Sequence, residues 1–376
     1  MRPAPEFWLR GGLCAHLLQP LAWAHAAAGA ARRVFARPWR APVPVICVGN
    51  VVAGGAGKTP VVLSLAQRLA ARGVVPHILS RGYGGSASGP LRVDPTRHTA
   101  AEVGDEPLLL ATVAPTWVAR DRVAGARAAA TAGAGLILMD DGLQNPGLEK
   151  DLSLLVVDGS YGFGNGKVIP AGPLREPVAA ALARTDAVLL MGEDESGIAA
   201  SVGATPVLRA MLAPVAGTVL DGPVVAFAGI GRPEKFFRTV TDAGARLVAA
   251  HGFPDHHSYD TRALKRLEAE AAAAHARLVT TAKDAARLSP AWRARVSVLA
   301  VEVRWQDEAA LDALLARTGR RDRFARPRIP PRSRRASRSP NCRDAPRRRC
   351  RSGRAPGSRG TLRCRRAPPA RPRHRS

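Results

Sequence analysis

The chain has 376 residues, which is long enough for two modest domains with buried cores. Its net charge of +26 is concentrated at one end, because residues 320–376 hold 22 arginines against two aspartates, which leaves +6 for residues 1–319. The five cysteines follow neither the spacing of a zinc site nor that of a disulfide framework, so the composition excludes a disulfide-stapled scaffold and is typical of a reducing, cytosolic setting.

The N-terminal residues 1–41 are apolar at first and then basic. The apolar stretch runs from Leu13 to Ala31, and arginines follow at positions 32, 33, 37 and 40. Pro20 lies in the middle of the stretch and is expected to break it. Its leucines share one helical face, at Leu13, Leu17, Leu18 and Leu21. This pattern favours a membrane-associated helix, since the arginines suit anionic headgroups. An Ala-rich helix packed on the protein's own core is the alternative, and a signal peptide is less favoured.

From Pro42 onward, short β-branched runs alternate with Ala- and Leu-rich stretches. Strands are predicted at Val43–Val48, Val75–Leu79, Leu136–Met139, Leu152–Val157, Ala187–Leu190, Val224–Ala228, Arg277–Thr280 and Ser297–Val303. Helices are predicted at Pro60–Ala71, Glu106–Val113, Arg122–Ala132, Pro233–Ala243, Thr261–Ala274 and Glu308–Arg317. The alternation indicates an α/β fold with a mainly parallel sheet and helices on both faces. We expect a core over residues 42–222 and a second, smaller α/β lobe over residues 223–319.

The Arg-rich segment 320–376 has almost no large apolar residues, so we expect it to be a disordered tail. Its composition is typical of a frameshift product from GC-rich DNA or of an extension without activity. An arm for an anionic partner is the alternative. We expect no specific nucleic-acid partner.

A strand ending at Val48 runs into a glycine-rich loop that opens a helix. The loop reads Gly54-Gly55-Ala56-Gly57-Lys58-Thr59, with Pro60 next. In this setting, backbone N–H groups and the helix N-terminus cradle phosphates, so the loop predicts a P-loop that binds ATP. Lys58 is expected to reach the β- and γ-phosphates and the Thr59 hydroxyl to ligate Mg²⁺. The glycines are shifted from the usual pattern, as in partition-type ATPases.

A second apolar strand, Leu136–Met139, ends in Asp140 and Asp141. This is the Walker B arrangement, in which a carboxylate lies beside the metal of a P-loop protein. Such paired acids also occur in ordinary turns. The P-loop upstream in the same predicted sheet favours a magnesium site.

Three further loops are richer in functional groups than simple connections need. The segment Ser80-Arg81-Gly82-Tyr83 follows a strand and so borders the same cleft. Asp105, in Gly104-Asp105-Glu106-Pro107, reads on its own as a helix cap. Arg175 follows a long Gly/Pro loop and is expected either to face a transferring phosphoryl group or to pair with Glu176.

The second lobe carries Asp255-His256-His257 in a turn and Thr280-Thr281-Ala282-Lys283-Asp284 after a strand. Adjacent side chains in a turn tend to point apart, which disfavours a zinc site. One histidine is better suited to orienting or tuning a carboxylate base. The later segment is expected either to face the cleft or to cap the next helix.

Taken in order, these motifs resemble the tetraacyldisaccharide 4′-kinases over roughly residues 5–317. The shared pattern reads VGN, GG-x-GKTP, SRGYG, GDEP, DDG-x-Q, PAGPLREP, F-x-DHH-x-Y and TT-x-KD. The sequence departs from the family at Ala56, at Asn145 and at Ala282, where Thr, His and Glu are common.

The resemblance implies a P-loop kinase that uses ATP and Mg²⁺ to phosphorylate the 4′-hydroxyl of a tetraacyl glucosamine disaccharide 1-phosphate, giving lipid IVA. It implies a glycolipid substrate, contact with the cytoplasmic face of the bacterial inner membrane and no obligate protein partner. A partition-type or metal-chaperone-type P-loop ATPase, acting through protein partners, is the alternative.

The resemblance also implies a role for individual side chains. Lys58 binds phosphate within the loop Gly54–Gly57, and Thr59, Asp140 and Asp141 organise Mg²⁺. Asp105 is the general base, His256 sets its charge and Arg175 contacts the γ-phosphate. Ser80, Arg81 and Tyr83 line the cleft as substrate-binding residues.

Overall fold

The computed structural model describes residues 5–320, and the predicted tail lies outside this range apart from its first residue. The strands are β1 Val45–Gly49, β2 Pro76–Ser80, β3 Leu91–Arg92, β4 Thr116–Val118, β5 Leu136–Asp140, β6 Leu152–Asp158, β7 Ala187–Met191, β8 Val207–Pro214, β9 Pro223–Ala228, β10 Arg246–Gly252, β11 Arg277–Thr281, β12 Ser297–Leu299 and β13 Val301–Trp305.

The helices lie between these strands and before them. They are α1 Phe7–Arg10, α2 Leu13–Leu17, α3 Gln19–Val34, α4 Lys58–Ala70, α5 Ala100–Val103, α6 Asp105–Leu110, α7 Arg122–Thr131, α8 Val178–Leu182, α9 Ile198–Ser201, α10 Pro233–Asp242, α11 Thr261–Ala273, α12 Ala282–Ala285, α13 Pro290–Arg293 and α14 Glu308–Arg320.

The strands form two sheets, a large one and a small one. The large sheet has the order β13-β8-β7-β6-β1-β5-β2-β4-β3, and its neighbours are parallel except at the two edges, where β13 and β3 run antiparallel. The small sheet has the order β10-β9-β11-β12 and is parallel throughout. The predicted mainly parallel α/β class with a smaller second lobe is confirmed.

Both faces of the large sheet are covered because its central strands are apolar on both sides. On one face, Cys47 and Met139 pack in a cluster with Ala126 and Ala129 of α7. On the other, Val48 packs in a cluster that includes α4 and α14. The strand ends that carry the polar motifs are therefore held by a rigid, fully buried framework.

The N-terminal segment is not one helix interrupted by Pro20. It forms α1, α2 and α3, and Pro20 lies in the first turn of α3. Proline is tolerated there because the first helical N–H groups have no intrahelical partner. Pro20 therefore starts a helix that the sequence analysis expected it to break. Among the described residues, no helix has the length and apolarity needed to cross a membrane.

The boundary expected for the second lobe, residues 223–319, is wrong at its C-terminal end. The predicted strand Ser297–Val303 is two strands divided at Ala300. The first, β12, completes the small sheet, whereas β13 pairs with β8 of the large sheet. Leu311 and Leu314 of α14 then pack in the core of the large lobe. The small lobe thus comprises residues 223–299, inserted between two strands of the large sheet.

Replacing Leu311 with Ala tests this return of the chain. Leu311 is 0% exposed, and its truncation leaves a cavity in the large lobe, so we expect a loss of about 2–5 kcal/mol in the free energy of unfolding. The same change at Leu17, which is 70% exposed, should cost less than about 0.5 kcal/mol. Denaturant titration of the two variants measures both values, and equal losses would contradict the packing of α14.

Candidate active site

The glycine-rich loop connects the carboxyl end of β1, a central strand of the large sheet, to α4. Gly54 and Gly57 have φ of 132° and 81°, in the region that favours glycine. Lys58 and Thr59 are the first two residues of α4, and Thr59 is buried. The free N–H groups of this helix start point into the loop, which is the geometry of an anion site.

Strand β5 lies beside β1, with Val48 opposite Asp140. Asp140 is buried, and its Oδ1 has no hydrogen-bond partner among the described residues. Burial, with Glu106 nearby, raises the pKa of Asp140 to about 7. Asp141 adopts a φ of 52°, and its Oδ2 lies 3.8 Å from Lys58 Nζ. The structure thus brings the paired acids to the glycine-rich loop.

The side chains of Thr59, Asp140 and Asp141 offer oxygen atoms, the ligands that Mg²⁺ prefers. The unpartnered Oδ1 of Asp140 fits such a cation, since a buried carboxylate oxygen needs a counterpart. Residues 5–320 contain no cluster of three or more His, Cys, Asp or Glu side chains arranged for metal. This is compatible with Mg²⁺, which one or two carboxylates hold together with phosphate oxygens.

Arg175 also contacts Asp141, the second of the paired acids. Its Nη1 donates to both carboxylate oxygens of Asp141, at 3.0 and 2.9 Å, and its backbone N–H donates to Val51 O. Burial opposes ionisation, but Lys58 and Arg175 hold the pKa of Asp141 below its ordinary value. The alternative, a pair with Glu176, does not occur.

Glu176, the residue after Arg175, instead links the end of the Gly/Pro loop to two other segments. It is buried and pairs with Arg184 at 2.8 Å and with Arg33 of α3 at 3.1 Å. Gln144 donates to Glu176 Oε1 and to Asn50 O. The N-terminal helix and the segment before the glycine-rich loop are therefore connected through one buried carboxylate.

Asp105 receives its partners from the small lobe. The Nδ1 N–H of His256 donates to Asp105 Oδ2 at 3.1 Å, and Arg287 donates to the same oxygen through Nε at 2.7 Å and Nη2 at 2.5 Å. Burial opposes ionisation, but the His256 hydrogen bond together with Lys283 and Arg287 holds the pKa of Asp105 far below its ordinary value. Asp105 is the first residue of α6, and it does not cap that helix.

His256 and His257 point apart, as adjacent residues in a turn tend to do. His256 has a φ of 60° and its ring lies 5.4 Å from that of Tyr83. His257 stacks on Phe253 at 4.8 Å and belongs to an aromatic cluster with Tyr259. Only the first histidine thus reaches the carboxylate at the cleft.

The segment Thr280–Asp284 both caps a helix and faces the cleft. Thr281 accepts from Asp284 N as the N-cap of α12. Lys283 Nζ lies 3.1 Å from Glu106 of the large lobe, and 3.5 Å from Asp255. The two expectations for this segment are therefore not exclusive.

The three predicted substrate residues have different surroundings. Ser80 is buried, with its Oγ 3.5 Å from Gly82 N. Arg81 and Tyr83 are exposed, and Tyr83 borders His256. The tyrosine thus lies beside the Asp105–His256 pair, whereas the Ser80 side chain belongs to the loop itself.

The sequence analysis missed Arg287 and a second contact between the lobes. Arg287 lies three residues after Asp284, a helical spacing that was the available signal. At the second contact, Asp158 at the end of β6 pairs with Arg232 at 2.8 Å and Lys235 at 2.7 Å. Arg232 also lies over the Tyr161 ring at 4.5 Å.

These features agree with comparisons to known proteins. The profile of the family Tetraacyldisaccharide-1-P 4′-kinase matches residues 14–320. The chain belongs to this family. It is therefore a kinase, and the prediction drawn from its ordered motifs is confirmed.

Individual relatives are similar over nearly their whole length. Tetraacyldisaccharide 4′-kinase of Rhodospirillum centenum is 59% identical over 83% of this chain and 96% of its own. The same-named protein of Gluconacetobacter diazotrophicus is 57% identical over 83% of this chain and 97% of its own. A solved structure of LpxK from Aquifex aeolicus in complex with ATP is 26% identical, with a TM-score of 0.67 over 81% of this chain and 99% of that chain.

The ion pairs of Asp158 with Arg232 and Lys235 make the stability of the fold depend on pH. Burial opposes ionisation, but Lys235 and Arg232 hold the pKa of Asp158 below its ordinary 3.8. The pair therefore stabilises the fold above the unfolded pKa, and this stabilisation is lost as pH falls through the lower folded value. We expect Asp158→Asn to lose less stability than the wild type between about pH 5 and about pH 3, by at most about 1 kcal/mol, the limit set by titration of the unfolded carboxyl. Urea titrations at both pH values measure this; Asp242→Asn, an exposed site, is the control and should follow the wild type.

Proposed function

We propose that this kinase transfers the γ-phosphate of ATP to the 4′-hydroxyl of a tetraacyl glucosamine disaccharide 1-phosphate, giving lipid IVA. The observation that carries the proposal is the position of Asp105. Two cationic side chains of the small lobe, Arg287 and Lys283, keep its buried carboxylate ionised, and an ionised carboxylate is what a hydroxyl acceptor needs as a base.

The two lobes border one cleft, which supports a reaction between a nucleotide and a second substrate. A Cβ placed on Gly231 of the small lobe would lie 3.4 Å from Gly55 N of the glycine-rich loop. His256 extends from the small lobe to Asp105 of the large lobe. Lobes held in this contact would exclude water from the phosphates and keep the base on its partner, so an enzyme with separated lobes should hydrolyse ATP poorly.

The roles follow from charge and position. The backbone of the glycine-rich loop and Lys58 hold the phosphates, and Arg175 neutralises charge on the transferring group. Thr59, Asp140 and Asp141 would hold Mg²⁺, which supplies charge neutralisation at the β- and γ-phosphates when bound. Because phosphoryl transfer needs positioning more than covalent chemistry, these side chains and the base are sufficient. Arg81 and Tyr83 are proposed to contact the acceptor, as is Ser80 through its loop.

The acceptor carries acyl chains, so we propose that the N-terminal segment docks on the cytoplasmic face of the inner membrane. Its helices expose several large apolar side chains: Leu13, Leu17, Leu21, Trp23 and Phe35. Basic residues lie near the segment in sequence, at Arg10, Arg32 and Arg37, as in interfacial helices on anionic membranes. The segment is fixed to the Gly/Pro loop that precedes Arg175, since Trp8 Nε1 donates to Pro170 O and Asn165 Nδ2 donates to Phe7 O.

This assignment is favoured over a partition-type or metal-chaperone-type ATPase because it uses the Asp105–His256 pair and the exposed N-terminal face. Turnover of the lipid acceptor, compared with hydrolysis of ATP alone, separates the two functions. A lipid-independent ATPase that makes no phosphorylated lipid would contradict the proposal. That the protein needs no obligate protein partner and no specific nucleic acid stays a prediction; deleting residues 320–376 should spare kinase activity.

Replacing Asp105 with Ala should retain ATP binding and lose phosphoryl transfer, because Asp105 is the proposed base and is not among the residues assigned to the phosphates. We expect kcat to fall by about 10²–10⁴ with the Kd for ATP within about threefold. Lys58→Ala should weaken both binding and transfer. Radiolabelled transfer to the lipid and equilibrium binding of ATP measure these effects. Asp242→Ala, at an exposed helix end, should match the wild type, and transfer by Asp105→Ala at the wild-type rate would remove Asp105 from the mechanism.

Replacing Leu17 with Glu should weaken membrane docking, because Leu17 is 70% exposed on the apolar N-terminal face. We expect at least about a tenfold loss of binding, since burial of one leucine contributes about 1.5–3 kcal/mol. Sedimentation with phosphatidylglycerol vesicles gives the bound fraction. Val298→Glu, at a site in the small lobe that is 38% exposed, is the control, and an equal loss in both variants would count against the N-terminal face.

A further inference from the structure

The Arg287 side chain crosses from the small lobe to the proposed base. Its Nε and Nη2 donate to Asp105 Oδ2 at 2.7 and 2.5 Å, and its Nη1 donates to Gly229 O and Asp284 Oδ1, both at 2.9 Å. The side chain is only 7% exposed. A planar guanidinium that uses its donors on three separate acceptors has one orientation, so Arg287 is fixed rather than mobile.

Asp284 also holds Arg287 in this orientation, and Asp284 is fully buried. Asp284 Oδ1 also accepts from the Tyr259 hydroxyl at 2.7 Å and from Gly229 N at 3.0 Å. Its Oδ2 accepts from Thr281 Oγ1 at 2.6 Å. These donors leave Asp284 no freedom to turn, and they hold Arg287 against the large lobe.

The two carboxylate oxygens of Asp105 accept different numbers of hydrogen bonds. Oδ2 accepts three hydrogen bonds, one from His256 and two from Arg287. Oδ1 accepts one, from Glu106 N at 2.9 Å. A carboxylate oxygen has two lone pairs, so Oδ2 is saturated and Oδ1 retains capacity for one more donor.

We propose that Arg287 is a positioning residue of the transfer reaction, which turns Asp105 so that Oδ1 accepts from the acceptor hydroxyl. This inference rests on the proposed role of Asp105 as the base. As the acceptor oxygen bonds to the γ-phosphorus, the bond to the ADP oxygen breaks and the hydroxyl proton passes to Oδ1 and then to water. A weakly basic carboxylate takes this proton late, which suits a loose phosphoryl-transfer transition state.

The charged groups that face Asp105 come from both lobes. His256, Lys283 and Arg287 extend from the small lobe, where Asp255 and Asp284 are the neighbouring carboxylates, and Glu106 follows Asp105 on α6. Removing Arg287 takes away one permanent positive charge and two hydrogen bonds to Oδ2. The pKa of Asp105 then rises, because the ionised form loses its partners while burial remains.

The test compares Arg287→Gln and Arg287→Lys with the wild type in full pH profiles of lipid phosphorylation. We expect Arg287→Gln to lower kcat at least about tenfold with KM for ATP within about threefold, and to move the acid limb of kcat/KM to higher pH. Arg287→Lys retains the positive charge but loses the planar guanidinium that donates two hydrogen bonds to Asp105. The acid limb of its kcat/KM profile should therefore stay near that of the wild type, while kcat falls about fivefold. Arg295→Gln removes a charge from an exposed site of the same lobe and should follow the wild type.

If the pH profile of kcat/KM for Arg287→Gln is parallel to that of the wild type, the inference is overturned. A merely structural role of Arg287 would lower kcat at every pH without moving the acid limb of the profile. Thermal unfolding identifies a variant that does not fold. In that case Arg287→Lys decides the question, and a wild-type kcat for Arg287→Lys overturns the positioning role. Asp105→Ala is measured in parallel: if it still transfers phosphate, the proposed function fails; if it is inactive while the Arg287→Gln limb does not move, only this inference fails.

Discussion

Attraction between acids of the large lobe and bases of the small lobe is the interaction on which the cleft depends. Asp105, Glu106 and Asp158 contribute the negative side. Each meets cationic side chains from the small lobe, and Asp105 meets Arg287 as well as His256. Because buried charges are tolerated only when paired, the Asp105 carboxylate cannot reach its ionised, oriented state without the other lobe. The lobes therefore build one site rather than two adjoining ones.

At the glycine-rich loop, the paired charges all belong to the large lobe. There Asp141 lies between Lys58 and Arg175, the two cations proposed to contact phosphate. A nucleotide brings negative charge to the same two cations and so competes with Asp141 for them. Asp140 is deeper, has an oxygen without a partner and has a raised pKa. The neighbouring carboxylates thus have distinct electrostatic states, set by burial in one and by ion pairing in the other.

The parts of this site that lie close in sequence could be predicted, because a strand, a glycine-rich loop and a helix start are local patterns. The alignment of Val48 with Asp140 followed from the general rule that parallel strands end at one edge. The pairing of Arg287 with Asp105 could not be found this way, since the two residues lie 182 positions apart. Strand β10 was missed because it is half exposed, at the edge of the small sheet. Pro20 was misjudged because its effect depends on where the helix begins.

The small lobe leaves and rejoins the large sheet through connections of unequal length. Residues 215–222 lead into β9, but Ala300 alone separates β12 from β13. A single residue gives one pair of backbone torsions, so a rigid-body movement of the small lobe that preserves the β8–β13 ladder would have to turn at Ala300. The longer connection, residues 215–222, has more torsions with which to follow. The two chain crossings between the lobes are therefore unequal constraints on any opening of the cleft.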